Sequence, residues 1–408
     1  MNRGFTTILA AQFFSSLGDN ALLFAAIALL KSLDAPSWQI PVLQQFFVFS
    51  FIVLAPFVGA FSDALPKGQV MFISNGIKIV GCATMLLGLH PLLAYGFVGV
   101  GAALYSPAKY GILTEYLPTD KLVWANGWME GLTVASIILG AIFGGLLIGH
   151  RVEDQVIHQL GALEFNGGID TAPEFAIFII FGLYIVAAIL NCYIPKLSIE
   201  HTLPNRTPGF LLADFWRGFL LLWKDPLGQV SLAVTSLFWG AGTSLRLIIL
   251  AWAAVALKLD LEQATQLTAL VAVGLAIGSV VAAKVVPLEH AVKVLPLGIA
   301  MGFVVLAMAL VTDWRPAALL LILIGALAGC FLIPMNALLQ HRGHQLMGSG
   351  HSIAVQNFNE NLSILLMLGA YALMIDAGLS AHTVVIVFGL FLSTAMGLLF
   401  KKHGHDQD

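Results

Sequence analysis

Long apolar runs, broken at intervals by short clusters of proline, glycine and charge, dominate this chain. Most runs reach or exceed the ~20 residues that a helix needs to cross a hydrocarbon layer, and they lack the ~10-residue alternation of a membrane barrel strand. Dividing the chain at its breaks predicts twelve spanning helices, near residues 7–31, 39–62, 69–89, 92–115, 121–149, 174–195, 228–257, 264–286, 291–312, 316–341, 347–375 and 380–400. The first run has no small-residue cleavage site and carries Gly18, Asp19 and Asn20 in its middle, so it reads as a retained helix and not a signal peptide.

Composition points the same way. Of 408 residues, 59% are hydrophobic and 10% charged, which does not describe a soluble domain. The expected class is an all-α integral membrane protein. A net charge of −3 names no partner, and the absence of a basic stretch argues against nucleic acid. Cys82, Cys192 and Cys330 lie in apolar runs without the spacing of a disulfide or a zinc site. The sequence has no Gly-rich phosphate loop, no His/Cys/carboxylate metal spacing and no Gly-x-Ser-x-Gly elbow. Neither a cofactor, a metal nor an enzymatic activity is therefore expected.

Basic residues orient the spans. With the amino terminus in the cytoplasm, twelve lysines and arginines fall on the inner side and four (Lys31, Arg151, Lys258, Arg315) on the outer, a clear positive-inside bias. An even number of spans then places both termini inside. The segment from Lys196 to Pro226 contains a run in which Leu211, Phe215, Phe219 and Trp223 recur at helical spacing among Asp214, Arg217 and Lys224. It reads either as an amphipathic helix on the cytoplasmic face or as a plain linker helix. The outer loop from His150 to Glu174, with Glu153, Asp154, Glu164, Asp170 and Glu174 against one arginine, reads as a solvated acidic loop.

The two halves repeat. Pro107 is followed two positions on by Lys109, and Pro334 by Asn336; in the next helix Asn126 precedes Glu130 by four, as Gln356 precedes Glu360. The proline-to-glutamate distance is 23 residues in one half and 26 in the other. Spans four and five thus correspond to ten and eleven, a parallel repeat offset by six helices. The expected domains are residues 1–195 and 228–408, two pseudo-symmetric six-helix bundles, joined by a cytoplasmic linker at 196–227. In such architectures the site lies near mid-membrane between the bundles.

The ionised side chains of Asp19, Lys109, Glu130, Arg246 and Glu360 stand inside predicted spans. Each costs about 2.5–3.5 kcal/mol at a helix centre on insertion scales, which makes function the first hypothesis for them. Gln12, Ser15, Ser16 and Asp19 share one face of the first span, and Gly18 before Asp19-Asn20 permits a loosened helix there. Asp19 reads either as a substrate-facing carboxylate or as half of a structural ion pair. Arg246 offers a planar guanidinium suited to phosphate or carboxylate. In the eleventh span Ser352, Gln356, Asn359, Glu360 and Ser363 form a polar stripe flanked by Asn357 and Asn361, which cannot face hydrocarbon. Lys109 either faces substrate or snorkels to the inner surface, where Glu130 would pair with it. Lys78, one turn after Asn75, reads as structural. With both signs represented, the set suits a zwitterion.

The loop Gly59-Ala-Phe-Ser-Asp63-Ala-Leu-Pro-Lys67 resembles the signature loop of the major facilitator superfamily, departing from it at Ala64 and Pro66. Four further blocks, Ala11–Phe24, Tyr105–Leu113, Thr235–Arg246 and Ile353–Asn361, resemble the bacterial lysophospholipid transporter family, and the likeness runs over nearly the whole chain. The resemblance implies the superfamily fold and a flippase that carries lysophosphatidylethanolamine and lysophosphatidylglycerol inward across the inner membrane. It implies alternating access with a lateral opening to membrane lipids, and an acyl-ACP synthetase/acyltransferase as the functional partner that re-acylates the product. It implies substrate-handling or gating roles at Asp19, Asn20, Lys109, Arg246 and Glu360. Gln356 and Asn357 join them from the polar stripe, while Asp63, Lys67, Lys78, Asn126 and Glu130 read as structural or gating positions. The alternative is a proton-coupled carrier of a soluble solute or drug, working through Asp19 or Glu360; a membrane enzyme or lipid-binding scaffold is a third.

Overall fold

The computed structural model describes residues 3–36, 39–149, 152, 169–197, 207–259 and 261–403. Among them thirteen α-helices follow one another: α1 (Arg3–Ser32), α2 (Gln39–Ala64), α3 (Lys67–Leu86), α4 (Pro91–Tyr116), α5 (Leu122–Leu147), α6 (Ala172–Cys192), α7 (Pro208–Lys224), α8 (Pro226–Ala256), α9 (Leu261–Val285), α10 (Leu295–Met308), α11 (Trp314–Met347), α12 (Ser349–Asp376) and α13 (Ala381–His403). Twelve helical segments among the described residues are long and apolar enough to cross a membrane, one for each span expected from the hydrophobic pattern. The exception is α7, the 17-residue helix of the linker. It buries Phe215 and Leu222 and exposes Leu212, Trp216, Leu220 and Leu221.

Local chemistry sets the boundaries. At α6 the Thr171 hydroxyl accepts from the Glu174 amide, and the Glu174 carboxylate accepts from the Thr171 amide at 2.9 Å, a reciprocal cap followed by Pro173. Glu174, grouped by sequence with a solvated loop, is thus a capping residue; residues 150–151 and 153–168 of that loop lie outside the described residues. At α8 the Asp225 carboxylate accepts from the Gly228 amide at 2.8 Å, with Pro226 opening the helix. The helix α11 runs six residues beyond the expected end at 341. Its last turns look polar enough to be a loop, yet Gln345 bonds back to His341 and to Arg342, both at 3.1 Å, and helical geometry persists to Met347, just before Gly348. There a φ of 97° turns the chain into α12, a conformation that disfavours a Cβ.

The backbone divides into two compact units. One comprises Met1–Glu115, Leu132–Trp216 and Met347–Ala354; the other comprises Tyr116–Gly131, Arg217–Leu346 and Val355–Asp408. The division passes through α5, α7 and α12 and does not follow only the linker. In the first unit α6 packs along both α1 and α3, around a core that includes Leu22, Ala25, Cys82, Val98, Ile180 and Tyr184. In the second, α13 packs along α10 and α8, around Trp252, Phe331, Met301 and Phe388.

Backbone proximity in the second unit rests on small residues. Gly274 and Gly278 of α9 face Gly325 and Gly329 of α11 so closely that a Cβ on Gly278 would stand 2.0 Å from the Ala326 carbonyl oxygen. Apolar side chains gain nothing by leaving lipid for another helix, so close van der Waals contact must supply the attraction, and four-residue glycine spacing on both helices permits it.

Candidate functional site

Polar side chains gather in three places, two within the first unit and one within the second. The first cluster sits near the middles of α1, α3, α4 and α6. The three-four spacing of α1 turns Gln12, Ser15 and Asp19 to one side, and α3 answers with Asn75 and Lys78, one turn apart. The Lys78 ammonium donates to Asp19 Oδ2 at 2.7 Å and to Ser15 Oγ at 3.0 Å. Ser15 Oγ donates to Asn75 Oδ1 at 2.8 Å, and the Tyr184 hydroxyl donates to Asp19 Oδ1 at 2.8 Å. The same ammonium lies 4.9 Å from the ring centre of Tyr105 and 5.4 Å from that of Tyr184. The Lys78 side chain is 1% exposed and that of Asp19 22%. An ammonium this deep is stabilised by its carboxylate, its hydroxyl and two π faces together, because burying a charge is costly.

Gly18 has a different use from the loosened turn expected of it. The helix α1 is continuous through Asn20, and a Cβ on Gly18 would stand 2.8 Å from Tyr184 Cε1. Gly18 is therefore the gap into which the Tyr184 ring fits on its way to Asp19. Asn20 turns its amide back to the Ser16 carbonyl at 2.8 Å.

A neighbouring chain of contacts links α1, α5 and α4: Gln12 donates to Thr133 Oγ1 at 2.7 Å, and Lys109 Nζ reaches the same oxygen at 3.5 Å while lying 4.4 Å from the Tyr110 ring centre. Gln12 Oε1 and the Tyr105 hydroxyl are buried without a hydrogen-bond partner among the described residues.

The second cluster surrounds the α2–α3 turn. Lys67 Nζ donates to Asp63 Oδ1 at 2.7 Å and to the Ser62 carbonyl at 2.8 Å, and lies 3.2 Å from Glu115 Oε1. Asp63 also accepts from the first amides of α12, Gly350 at 2.7 Å and His351 at 3.0 Å, so a carboxylate faces the positive end of a helix. His351 Nδ1 stands 2.9 Å from Asp63 Oδ2, and its Nε2 stands 3.0 Å from Asp214 Oδ2 of α7. The Ser349 hydroxyl donates to Glu115 at 2.6 Å. Asp63 and Lys67 were legible from their loop motif. Glu115, Asp214, Ser349 and His351 were not; the only sequence signal is the histidine in the first turn after Gly348.

The third cluster occupies α12 and its neighbours in the second unit. Gln356 Nε2 donates to Glu360 Oε1 at 2.7 Å and to Asn336 Oδ1 of α11 at 2.9 Å. The repeat had picked out these three positions, and here they bond to one another. Gln356 Oε1 is buried without a partner among the described residues. Asn357 and Glu360 are buried, as is Glu130. The Asn357 carbonyl accepts from Asn361 at 2.8 Å, and Asn359 accepts from Trp223 Nε1 at 3.3 Å. One turn along α11, Gln340 and Asn126 exchange two hydrogen bonds, both 2.8 Å. Arg246 of α8 is exposed, with no ion-pair or hydrogen-bond partner among the described residues. Its guanidinium is open to an anion.

The comparisons with known proteins fit this architecture. The family model described as Major Facilitator Superfamily matches residues 8–368. A protein of Yersinia enterocolitica serotype O:8 named lysophospholipid transporter LplT is 43% identical over 379 residues, 93% of this chain and 89% of that protein. Its namesake in Yersinia pestis strain Pestoides F is 43% identical over 93% of this chain and 88% of its own. Among solved structures, the Major Facilitator Superfamily transporter FucP superposes with a TM-score of 0.76 at 14% identity, covering 98% of each chain. A bacterial homologue of the iron transporter ferroportin gives 0.73 at 16% identity, over 99% of this chain and 100% of that one. At such identities these two show the fold alone. The chain belongs to the Major Facilitator Superfamily and, within it, to the family of the lysophospholipid transporters LplT.

Proposed function

We propose that this protein flips lysophospholipids, chiefly lysophosphatidylethanolamine and lysophosphatidylglycerol, inward across the bacterial inner membrane, where an acyl-ACP synthetase/acyltransferase re-acylates them. The observation that carries the reading is 43% identity over 93% of the chain to proteins named for that activity. Both termini are cytoplasmic, as the positive-inside bias requires. Catalysis belongs to the partner enzyme and not to this chain.

The chemistry of the substrate explains the polar clusters. A lysophospholipid carries a charged head that hydrocarbon excludes and a single acyl chain that it welcomes. The head therefore passes through the protein by alternating access, while the chain stays in or near lipid through a lateral opening. In the second unit the exposed Arg246, without an ion-pair or hydrogen-bond partner among the described residues, suits a phosphate through two parallel hydrogen bonds; in the first unit the exposed edge of Asp19 suits an ammonium. Gln356, whose Oε1 has no partner among the described residues, contributes a further acceptor beside Glu360.

Reconstitution in liposomes tests the reading. Labelled lysophosphatidylethanolamine is expected to move inward faster than a diacyl control, and Asp19→Ala and Arg246→Ala are each expected to slow it at least tenfold. No movement above empty liposomes by folded protein overturns the assignment in favour of a proton-coupled carrier of soluble solutes.

A further inference from the structure

The buried partner of Asp19 has a consequence for which headgroups the site accepts. Asp19 is the partly open member of its cluster, whereas the Lys78 side chain is sealed behind it at 1% exposure. Whatever reaches Asp19 meets a carboxylate whose Oδ2 already accepts from Lys78 and whose Oδ1 accepts from Tyr184. Each carboxylate oxygen has about two acceptor positions, so one on each remains for a ligand. The charge is another matter: with an ammonium 2.7 Å away, the pair presents a dipole and no net charge. A bare carboxylate would attract an ammonium strongly and repel a phosphate; the paired one does both weakly.

The cage is built around the lysine. A Cβ on Gly101 of α4 would stand 2.7 Å from Lys78 Cγ, and one on Gly18 would stand 2.8 Å from Tyr184 Cε1, so two helices omit side chains where the lysine stem and the tyrosine ring lie. Stability alone does not call for such a pair, because an apolar residue of similar volume often serves a buried position as well or better.

We propose that Lys78 is a positioning residue that sets headgroup preference: by neutralising Asp19 from behind, it admits lysophospholipids whose heads carry a net negative charge beside those that are zwitterionic. The inference rests on the lysophospholipid reading above. It makes the sign of the effect a property of the Asp19–Lys78 pair and not of either residue alone. Lys78→Met leaves the carboxylate without its counter-charge, Asp19→Asn leaves the ammonium with only Ser15 Oγ and the Tyr105 and Tyr184 rings, and the two together restore neutrality.

The full-length protein in liposomes, given labelled lysophosphatidylethanolamine and labelled lysophosphatidylglycerol in parallel, reads this as a ratio of flipping rates. Lys78→Met is expected to shift the ratio about tenfold towards the zwitterionic lipid, and Asp19→Asn to shift it in the opposite direction, as one unscreened charge near the headgroup requires. Asp19→Asn/Lys78→Met is expected to return the ratio to within about threefold of wild type, and Lys78→Arg, which keeps the charge, to within about twofold. Loss of both rates in equal proportion in Lys78→Met and in Asp19→Asn overturns the proposal and leaves Lys78 a structural residue. Should Lys78→Met not fold, Asp19→Asn against the double variant carries the comparison, and an unchanged ratio between them overturns it equally. Wild-type protein that moves neither lipid overturns both this inference and the function it rests on; wild-type flipping with an unmoved ratio overturns this inference alone.

Discussion

Asp63 is met by four donors among the described residues, and removing it should show which of its partners the fold depends on. Its two oxygens take the Lys67 ammonium, the amides of Gly350 and His351, and His351 Nδ1, at 2.7 to 3.0 Å. In Asp63→Ala, Lys67 keeps Glu115 and the Ser62 carbonyl, whereas the two amides at the head of α12 lose their acceptor in a buried place. Leaving a buried donor unsatisfied costs about 1–3 kcal/mol each, and an anion at a helix N-terminus is worth up to about 2, so the variant should lose about 3–5 kcal/mol. Lys67→Met removes only one of the four donors and leaves Asp63 against three others; its expected cost is about 1–2 kcal/mol. Unfolding of the purified protein in mixed micelles, followed by circular dichroism, measures both. If Lys67→Met costs as much as Asp63→Ala, the lysine pair and not the helix terminus holds this turn, and the reasoning fails.

Two further predictions concern the second unit. Gly278→Val puts a branched side chain where even a Cβ meets the Ala326 carbonyl oxygen at 2.0 Å, so α9 and α11 must separate; a loss of at least about 3 kcal/mol is expected in the same micelle assay, against no loss, or a gain of up to about 1 kcal/mol, for Gly242→Ala, whose Cβ meets nothing within 4 Å. At the start of α8, burial alone would raise the Asp225 carboxyl, but the hydrogen bond from Arg342 and the Gly228 amide outweigh it and hold the group below the ordinary 3.8. A depressed folded value means that the stabilisation is complete above the ordinary value and fades as pH falls through the depressed one. The stability difference between wild type and Asp225→Asn is therefore expected to be flat from pH 7 to about 5 and to shrink below about 3.8; a difference that grows on acidification would contradict the pairing.

Much of this molecule was written locally. Twelve spans were legible because crossing a membrane demands only a run of apolar residues of sufficient length, a property of consecutive positions. The Pro/polar repeat was legible for the same reason, and it led to Asn336, Gln356 and Glu360, which bond to one another. Local signals misled where a residue's use lay on another helix. Gly18 looked like a hinge because glycine loosens helices, but its missing side chain is filled by Tyr184, 166 positions away. Polar residues at the end of α11 looked like a loop, but Arg342 there pairs with Asp225 of the α8 cap.

By itself, then, the sequence determined that buried polar groups exist and in which spans, since hydrocarbon tolerates none of them unpaired. Only the tertiary structure decided who pairs with whom: Asp19 with Lys78 across 59 residues, and Asp63 with His351 across 288. The physical reason is that neighbouring helices are chosen by the fit of apolar faces, which are nearly interchangeable in composition. Which carboxylate meets which ammonium follows from that choice of neighbours, and no window along the chain contains it.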